Sequence, residues 1–201
     1  YVQRDVSPLQ SQLMVGEIHT PGELFDSVRL RGASLFSDDR MLPDSQTGFA
    51  PVVRGIAETN ARVSVRQRGV LLDEVSVAPG PFVLNDLFPT GYGGDLNVTI
   101  TEADGRRREF VVPFAANANL LRAGYKRYSV SLGQLDEIGV RHPPKLLQAT
   151  YQHGLSNLLT GYTGAVLADD YSSQLAGAAF NTAFGALSLD LTHSSAHLKG
   201  H

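Results

Sequence analysis

The amino-acid sequence predicts an all-β chain in which barrel-like strands flank a small inserted β-sandwich. The first observation is that residues 146–198 contain only three formal charges, all of them aspartate. The second is that residues 186–193 alternate between leucine on one side and Ser188, Asp190 and Thr192 on the other. Strand side chains repeat every two residues, so this pattern gives one apolar and one polar face. Such strands are typical of transmembrane β-barrel strands with lipid outside and a wet interior.

Composition narrows the class of protein further. The chain has 201 residues, a net charge of −3 and a pI of about 6.1, so nothing indicates a nucleic-acid partner. It has no Cys, which excludes disulfides and thiolate metal sites within this stretch. No run of about 18 apolar residues is present, so we expect no transmembrane helix, whereas barrel strands need only about 9–11 residues.

The two ends of the chain have the features of internal cuts. Residues 1–5 lack the apolar segment of a signal peptide, and the last residues stop abruptly. We therefore expect a piece of a longer protein with an incomplete barrel. The predicted organisation is barrel strands over residues 1–50, a β-sandwich over 51–113 and further barrel strands over 114–201.

Residues 1–50 contain two alternating runs that predict strands. They cover residues 12–18 and 28–36, and Thr20-Pro21-Gly22 closes the first run. A polar loop broken by Pro43 follows over residues 37–44.

Residues 51–113 predict a compact sandwich of immunoglobulin-like type. Turn signals every 8–12 residues separate short alternating runs, as in that fold. The Cys and Trp of an antibody core are absent, since the chain contains neither residue. The predicted strands cover residues 60–67, 70–77, 82–87, 96–102 and 109–112, and the breaks are Arg68-Gly69, residues 78–81, the loop 89–94 and Asp104-Gly105.

The rest of the chain returns to barrel-like alternation. Residues 115–144 are interpreted as a transition, and the predicted strands beyond it cover 146–153, 157–167, 174–184 and 186–193, with turns at 169–172 and near Gly185. A domain inserted between two barrel strands should have its ends close together. The simplest mechanical role for such an insert is a plug or gate.

Several segments, in the right order over most of the chain, resemble the fimbrial outer-membrane usher family. Those segments are Ser37-Asp38-Asp39-Arg40-Met41-Leu42-Pro43, Gly48-Phe49-Ala50-Pro51-Val52-Val53-Arg54-Gly55-Ile56-Ala57, Asn60-Ala61-Arg62-Val63-Ser64-Val65, Ala78-Pro79-Gly80-Pro81-Phe82, Asn85-Asp86-Leu87, Gly94-Asp95-Leu96-Asn97-Val98, Phe180-Asn181-Thr182 and Gly185-Ala186-Leu187-Ser188.

The resemblance implies a large β-barrel pore in the Gram-negative outer membrane. Ushers accept chaperone–pilin subunit complexes from the periplasm, order the pilins by donor-strand exchange and export the fibre. A sandwich plug, here roughly residues 51–113, closes the resting pore. The expected partners are therefore periplasmic chaperone–pilin complexes and outer-membrane lipid, with no cofactor and no enzymatic site. Whether the full-length protein forms a homodimer stays open, and the family's periplasmic domains are expected outside this stretch.

Charge and position give the candidate gating contacts. Residues 51–113 contain seven Arg and eight Asp or Glu, which gives a net charge of −1. This balance indicates a mixed solvated surface rather than a nucleic-acid-binding surface. Pairs between these Arg and lumen carboxylates such as Asp190 would be weak and reversible, which suits a gate. The candidates are Arg54, Arg62, Arg66, Asp86 and Asp95 on the sandwich, with Asp38, Asp39 and Arg40 at the hinge.

Three other groupings are interpreted structurally. Asp38-Asp39 resembles an acid pair for catalysis or metal binding, but a hydrogen-bonded turn is the favoured interpretation. His193 and His197 have the spacing of a helical zinc pair, yet on a strand they would lie about 13 Å apart. Residues 91–94 lack the Lys-Ser/Thr of a phosphate loop.

The main alternative is a soluble binding module. Residues 51–113 would then capture a peptide strand by edge addition, and the tail would be a second low-charge sandwich. Extraction behaviour separates the two hypotheses, because a binding module is soluble without detergent. An enzyme is the third hypothesis and ranks last, because no nucleophile–base pair stands out in the sequence.

Overall fold

The chain forms two kinds of β-structure. A computed structural model describes residues 1–43, 47–88, 93–115, 119–136, 143–182 and 184–196. The regular structure of this part consists of strands and two short 3-10 helices, Ser7–Leu9 and Asp39–Met41. No helix among these residues is long and apolar enough to cross a membrane.

Eight strands form one large antiparallel sheet, here called the wall sheet. Its strand order is β1-β2-β3-β10-β11-β12-β13-β14, and its two outer strands each pair with one neighbour within the described chain, so the sheet is part of a barrel and not a closed one. The strands are β1 Val2–Val6, β2 Ser11–His19, β3 Arg29–Ser37, β10 Lys126–Leu135, β11 Lys145–Gly154, β12 Leu159–Ala168, β13 Tyr171–Thr182 and β14 Gly185–Ala196.

Six strands between β3 and β10 form a small sandwich, here called the insert (residues 53–112). One sheet contains β4 and β7, and the other has the order β6-β5-β8-β9. Val63, Val65 and Val98 are completely buried between the sheets. The strands are β4 Val53–Ala57, β5 Ala61–Gln67, β6 Val70–Val77, β7 Gly80–Leu84, β8 Leu96–Glu102 and β9 Arg107–Val112.

The insert leaves and returns to the wall sheet at one place. Strands β3 and β10 are direct antiparallel partners, with Ser34 opposite Ser131. The ends of the intervening segment therefore lie side by side, which confirms the expected proximity of the ends.

The wall sheet has an apolar outer face, and its inner face combines buried polar side chains with buried apolar ones such as Leu30, Val166 and Leu175. On β11, Gln148, Thr150 and Gln152 are buried, because the insert and the β2–β3 loop cover that face. On the opposite face Leu132 is 58% exposed, and the predicted leucines of β14 are also exposed. The predicted alternation is confirmed, and it places lipid-compatible side chains outside and hydrogen-bonding ones inside.

Several predicted boundaries were wrong. The supposed transition contains β10, a central wall strand that was overlooked because Lys126 and Arg127 open it, although Tyr128, Val130 and Leu132 alternate with Ser129, Ser131 and Gly133. Strands β1 and β4 were also not predicted. Strand β7 begins at Gly80 rather than Phe82, because Pro81 pairs at a sheet edge, where a missing N–H is tolerated.

Two of the predicted turns are confirmed. Arg68 and Gly69 both have positive φ, 49° and 83°, as a tight two-residue hairpin requires. Asp104-Gly105 also forms a turn, with Gly105 at φ 85°. Residues 89–92 of the predicted loop lie outside the described residues, as do His142, His197 and His201.

Candidate functional site

Two linkers join the insert to the wall sheet. The incoming linker is residues 47–52 and the outgoing linker is residues 113–125, of which 116–118 lie outside the described residues. Both meet the sheet where β3 ends and β10 begins. The antiparallel order puts the β11–β12 and β13–β14 turns at the same end. This junction is the candidate site, because any movement of the insert must pass through it.

Asn157, in the β11–β12 turn, holds the incoming linker. Its Nδ2 donates to the carbonyl of Val52 at 2.7 Å, and its Oδ1 accepts from the amide of Val52 at 2.9 Å. One side-chain amide thus satisfies both backbone groups of a residue next to β4. The bond pair fixes the incoming linker to the rim of the wall sheet.

Asn181, on the inner face of β13, holds the start of the outgoing linker. Its side chain is almost fully buried. Nδ2 donates to the carbonyl of Pro113 at 2.8 Å and to that of Asn157 at 3.1 Å, while Oδ1 accepts from the amide of Ala115 at 2.8 Å. Because buried polar groups are costly to leave unpaired, this saturated amide strongly determines the path of the linker.

The end of the outgoing linker lies along β11 and β12. The hydroxyl of Thr160 accepts from the amide of Leu121 at 3.0 Å. Gly154 donates its amide to the carbonyl of Tyr125 at 2.9 Å. A Cβ on Gly154 would lie 2.0 Å from the carbonyl oxygen of Arg122, so the absence of a side chain allows the linker to approach the wall.

Arg122 joins both linkers and the insert through one guanidinium. It is 6% exposed. Nε donates to the carbonyl of Gly48 at 2.9 Å, Nη1 to Asn85 at 3.1 Å and Nη2 to Leu87 at 2.6 Å. Burial lowers the pKa of Arg122 below its ordinary value, and the charge of Asp86 opposes that effect. The side chain therefore acts as a buried cation held mainly by backbone carbonyls.

Asp38-Asp39-Arg40 forms the hydrogen-bonded turn that was predicted. Asp38 caps the 3-10 helix Asp39–Met41 by accepting from the amide of Arg40 at 3.1 Å. The guanidinium of Arg40 lies 2.7 Å from the same carboxylate and lowers the pKa of Asp38. The two acids point to different partners, Asp38 to Arg40 and Asp39 to Tyr125 and Arg127.

Asp39 connects this turn to the inside of the wall sheet. Its carboxylate accepts from the hydroxyl of Tyr125 at 2.8 Å and from the guanidinium of Arg127 on β10. Arg127 also lies 3.7 Å from Glu23, which accepts from Nε2 of Gln152 at 3.0 Å. The guanidinium of Arg127 thus lies between the Asp38-Asp39-Arg40 turn and the β2–β3 loop, which carries Glu23.

The β2–β3 loop, residues 20–28, folds inward along the wall. Leu24 and Phe25 pack against the apolar cluster that also contains the insert core. Burial raises the pKa of Glu23, with the charge of Arg127 acting in the opposite direction. The sequence predicted only a turn here, because its contacts on β10, β11 and β12 lie far away along the chain.

The remaining candidate residues lie around the insert. Arg62 lies 3.5 Å from Glu74, and Arg66 donates to the carbonyl of Gly69, so these described partners belong to the insert itself. Arg62 and Arg66 occupy the polar face of the β6-β5-β8-β9 sheet. Their contact with the opposite side of a lumen stays a prediction.

Two candidates lie at cavities between the insert and the wall sheet. Arg54 lines a cavity of about 420 Å³ together with Asn157. Asp95 lines another of about 430 Å³ with Phe184 of the β13–β14 turn. The lumen carboxylate Asp190 lies 3.4 Å from the hydroxyl of Tyr162.

Sequence reasoning missed the main junction residues, namely Glu23, Arg122, Asn157, Thr160 and Asn181. Their partners are distant along the chain, as for Asn157 and Val52, which are 105 positions apart. No local pattern marks such pairs. Across the described ranges no group of three or more His, Cys, Asp or Glu is placed to hold a metal ion.

A wall sheet with an apolar outer face and an insert attached at its inner side defines the class of the chain as barrel strands that flank an inserted β-sandwich. The family model described as outer membrane usher protein matches residues 1–201, and the chain belongs to this family. The outer membrane usher protein HtrE of Escherichia coli K12 is 48% identical over 98% of this chain. The family membership places the protein in the bacterial outer membrane.

Two solved structures show the same fold. One is the cryo-EM structure of the E. coli P pilus tip assembly intermediate PapC-PapD-PapK-PapG, with a TM-score of 0.65 and 39% identity over 98% of this chain and 25% of that chain. The other is the P pilus usher (PapC) translocation pore, with a TM-score of 0.55 and 37% identity over 99% of this chain and 40% of that chain. The chain spans 23% of the length of HtrE.

Proposed function

We propose that this chain is the plug-bearing part of the pore of an outer-membrane usher that assembles and secretes pilus subunits. The observation that carries the proposal is the position of the insert. It leaves and returns between the paired strands β3 and β10 and is held on the inner side of the wall sheet. A folded domain in that position blocks a lumen. We place the plug at residues 51–113, with barrel strands on both sides.

The proposed partners follow from the relatives. The PapC structure contains PapD, PapK and PapG in one assembly intermediate, and the matching PapC pore is called a translocation pore. By similarity, the full-length protein would receive chaperone–pilin subunit complexes. Outer-membrane lipid would contact the outer face around Leu132, and whether two copies associate stays open.

The proposed mechanism is gating without a chemical step. An arriving chaperone–subunit complex would bind the open state better than the closed state, and this difference in affinity would shift the population toward open. Weak exposed ion pairs suit such a gate, because each contributes only about 0–1 kcal/mol. Arg54, Arg62, Arg66, Asp86 and Asp95 remain the proposed plug contacts, with residues 38–40 as the proposed hinge.

Deleting the insert tests this function. In the full-length protein, residues 53–112 are removed and Val52 is joined to Pro113. We expect a small, mostly closed current in planar bilayers to become large and steady, because the lumen is no longer filled. If the correctly folded deletion variant has the same conductance as the wild type, the plug proposal is wrong. Absence of a channel in both forms would favour the soluble binding module.

A further inference from the structure

The two linkers are attached to the wall sheet independently of the insert. Asn157 holds both backbone groups of Val52, Asn181 holds Pro113, and Thr160 holds Leu121. These three side chains belong to wall strands or to the turn between them. Mechanically, the linkers are therefore extensions of the wall sheet.

Arg122 makes a different kind of contact. It lies on a wall-bound linker, and two of its three guanidinium bonds reach across to the insert, at the carbonyls of Asn85 and Leu87. Both carbonyls follow β7 directly, at the end of the insert nearest the wall. Arg122 is thus placed to hold the insert against linkers that are themselves fixed.

We propose that Arg122 is the latch that positions the plug in the closed pore, and that the plug turns about Val52–Val53 and Val112–Pro113 while the linkers stay on the wall. This inference rests on the proposed function and moves the pivot from residues 38–40 to the two ends of the insert, because the linker between them is held by Asn157. It divides the junction into a permanent anchor, formed by Asn157, Thr160 and Asn181, and a releasable contact, formed by Arg122.

The hydrogen-bond partners of the Asn85 and Leu87 carbonyls differ between the two states, which explains why Arg122 would act on the closed state. With the plug in place, the carbonyls of Asn85 and Leu87 face a buried guanidinium, and removing that donor leaves them unsatisfied. Once the plug swings out, water reaches the same carbonyls and the donor is no longer needed. Loss of Arg122 removes the bond to Gly48 in both states but the bonds to Asn85 and Leu87 only in the closed state, so it raises the free energy of the closed state more than that of the open state.

The first test compares R122Q with R68Q in the full-length protein by single-channel recording. Arg68 is the matched control, because it also donates to a backbone carbonyl, that of Gly93, but both partners belong to the plug. We expect R122Q to raise the open-to-closed ratio about ten- to hundredfold, given the strength of charged hydrogen bonds, with the open-state conductance unchanged. R122K should recover part of the closure, since one ammonium can still serve one carbonyl.

Three results separate the latch from its alternatives. If R122Q opens no more than R68Q although deletion of residues 53–112 opens the pore, the latch is wrong and the plug stands. If the deletion does not open the pore either, the proposed function itself fails. A general folding defect would lower the heat stability of the barrel and the open-state conductance together, and that result would also overturn the latch.

A cross-link tests the hinge without changing Arg122. The chain has no Cys, so V52C/N157C gives one defined thiol pair in this region, which a short bis-maleimide can join. We expect the cross-linked protein to open as the wild type does, because the cross-link replaces the bonds that the Asn157 side chain makes to Val52 and the linker stays on the wall in both states. A pore locked shut by the cross-link would show that the linker must leave the wall and would overturn the hinge placement.

Discussion

Glu102 is a buried carboxylate that holds one turn of the insert through hydrogen bonds. It is 3% exposed and accepts from the amides of Glu58 at 3.1 Å and Thr59 at 2.9 Å, with further bonds from the Thr59 hydroxyl and Arg108. These bonds, led by that from the Glu58 amide, lower the pKa of Glu102 to about 2. The carboxylate thereby joins β8 to the β4–β5 turn.

Acid should loosen this turn through Glu102. Its folded pKa of about 2 lies below the usual value near 4.5, so its stabilising contribution is complete above pH 4.5 and is lost as the pH falls toward 2. We expect protection of the Glu58 and Thr59 amides from hydrogen exchange to decrease over that window. Exchange of wild type and E102Q in full-length protein is compared at each pH, which removes the intrinsic pH effect.

The E102Q variant should have low protection at every pH, because an amide cannot replace a carboxylate that accepts four bonds. E109Q is the control, since Glu109 is exposed on β9 and we expect its replacement to leave both amides unaffected. Equal protection in wild type and E102Q at pH 6 would show that the carboxylate does not hold the turn.

At the scale of the strand, a row of glycines shapes the wall. Gly16, Gly32 and Gly133 lie opposite one another on β2, β3 and β10. A Cβ on Gly32 would lie 2.1 Å from the carbonyl oxygen of Leu132. Glycine at such points lets strands approach closely and lets a sheet bend, as a curved barrel wall requires.

Gly32→Ala should therefore impair barrel formation. The added methyl meets backbone, which cannot move aside without disturbing the β3–β10 pairing, so we expect a lower folded yield and lower heat stability. Gly161→Ala is the matched control on β12, where the nearest atom to an added Cβ is Leu155 Cδ1 at an ordinary 3.7 Å. Heat-dependent mobility in detergent gels measures the folded yield and the heat stability of each variant. Equal values for Gly32→Ala and Gly161→Ala would contradict the proposed bend.

At the scale of the whole molecule, the wall sheet separates two environments. Neighbouring residues of β10 point in opposite directions: Leu132 is exposed on the outer face, whereas Ser131 is buried and shares a 2.7 Å hydrogen bond with Ser34. The outer face has the apolar character of a lipid contact, while the hydroxyls of Ser34 and Ser131 on the inner face bond to each other.

Fluorescent labels should report this division. In full-length protein in bilayers, a label on L132C is expected to be quenched by brominated lipid, and a label on A33C, on the outer face of β3, should behave alike. A label on T192C should escape quenching, because Thr192 is exposed and lies opposite the buried Leu175 on the inner face. Quenching of T192C as strong as that of L132C would place the inner face in lipid and contradict a pore.

The sequence predicts most of the strands through the alternation of their side chains. Strands β5, β6, β8 and β11–β14 follow from alternation and turn residues, since the pleat forces that period whatever the partner strand. Strand β10 carries the same local signal, since Tyr128, Val130 and Leu132 alternate with Ser129, Ser131 and Gly133, and it was overlooked behind the charges of Lys126 and Arg127. The Asp38 turn was predicted because a short acidic side chain bonds to its own backbone.

By itself, the sequence determined the all-β class, the two-faced wall strands, the tight turns and the family resemblance, because each depends on neighbouring residues or on ordered motifs. Tertiary structure alone decided the junction: Arg122 on the carbonyls of Asn85 and Leu87, Asn157 on Val52, and the β2–β3 loop inside the wall. Those contacts join residues dozens of positions apart, and chain-local periodicity carries no information about which distant backbone groups burial will bring together.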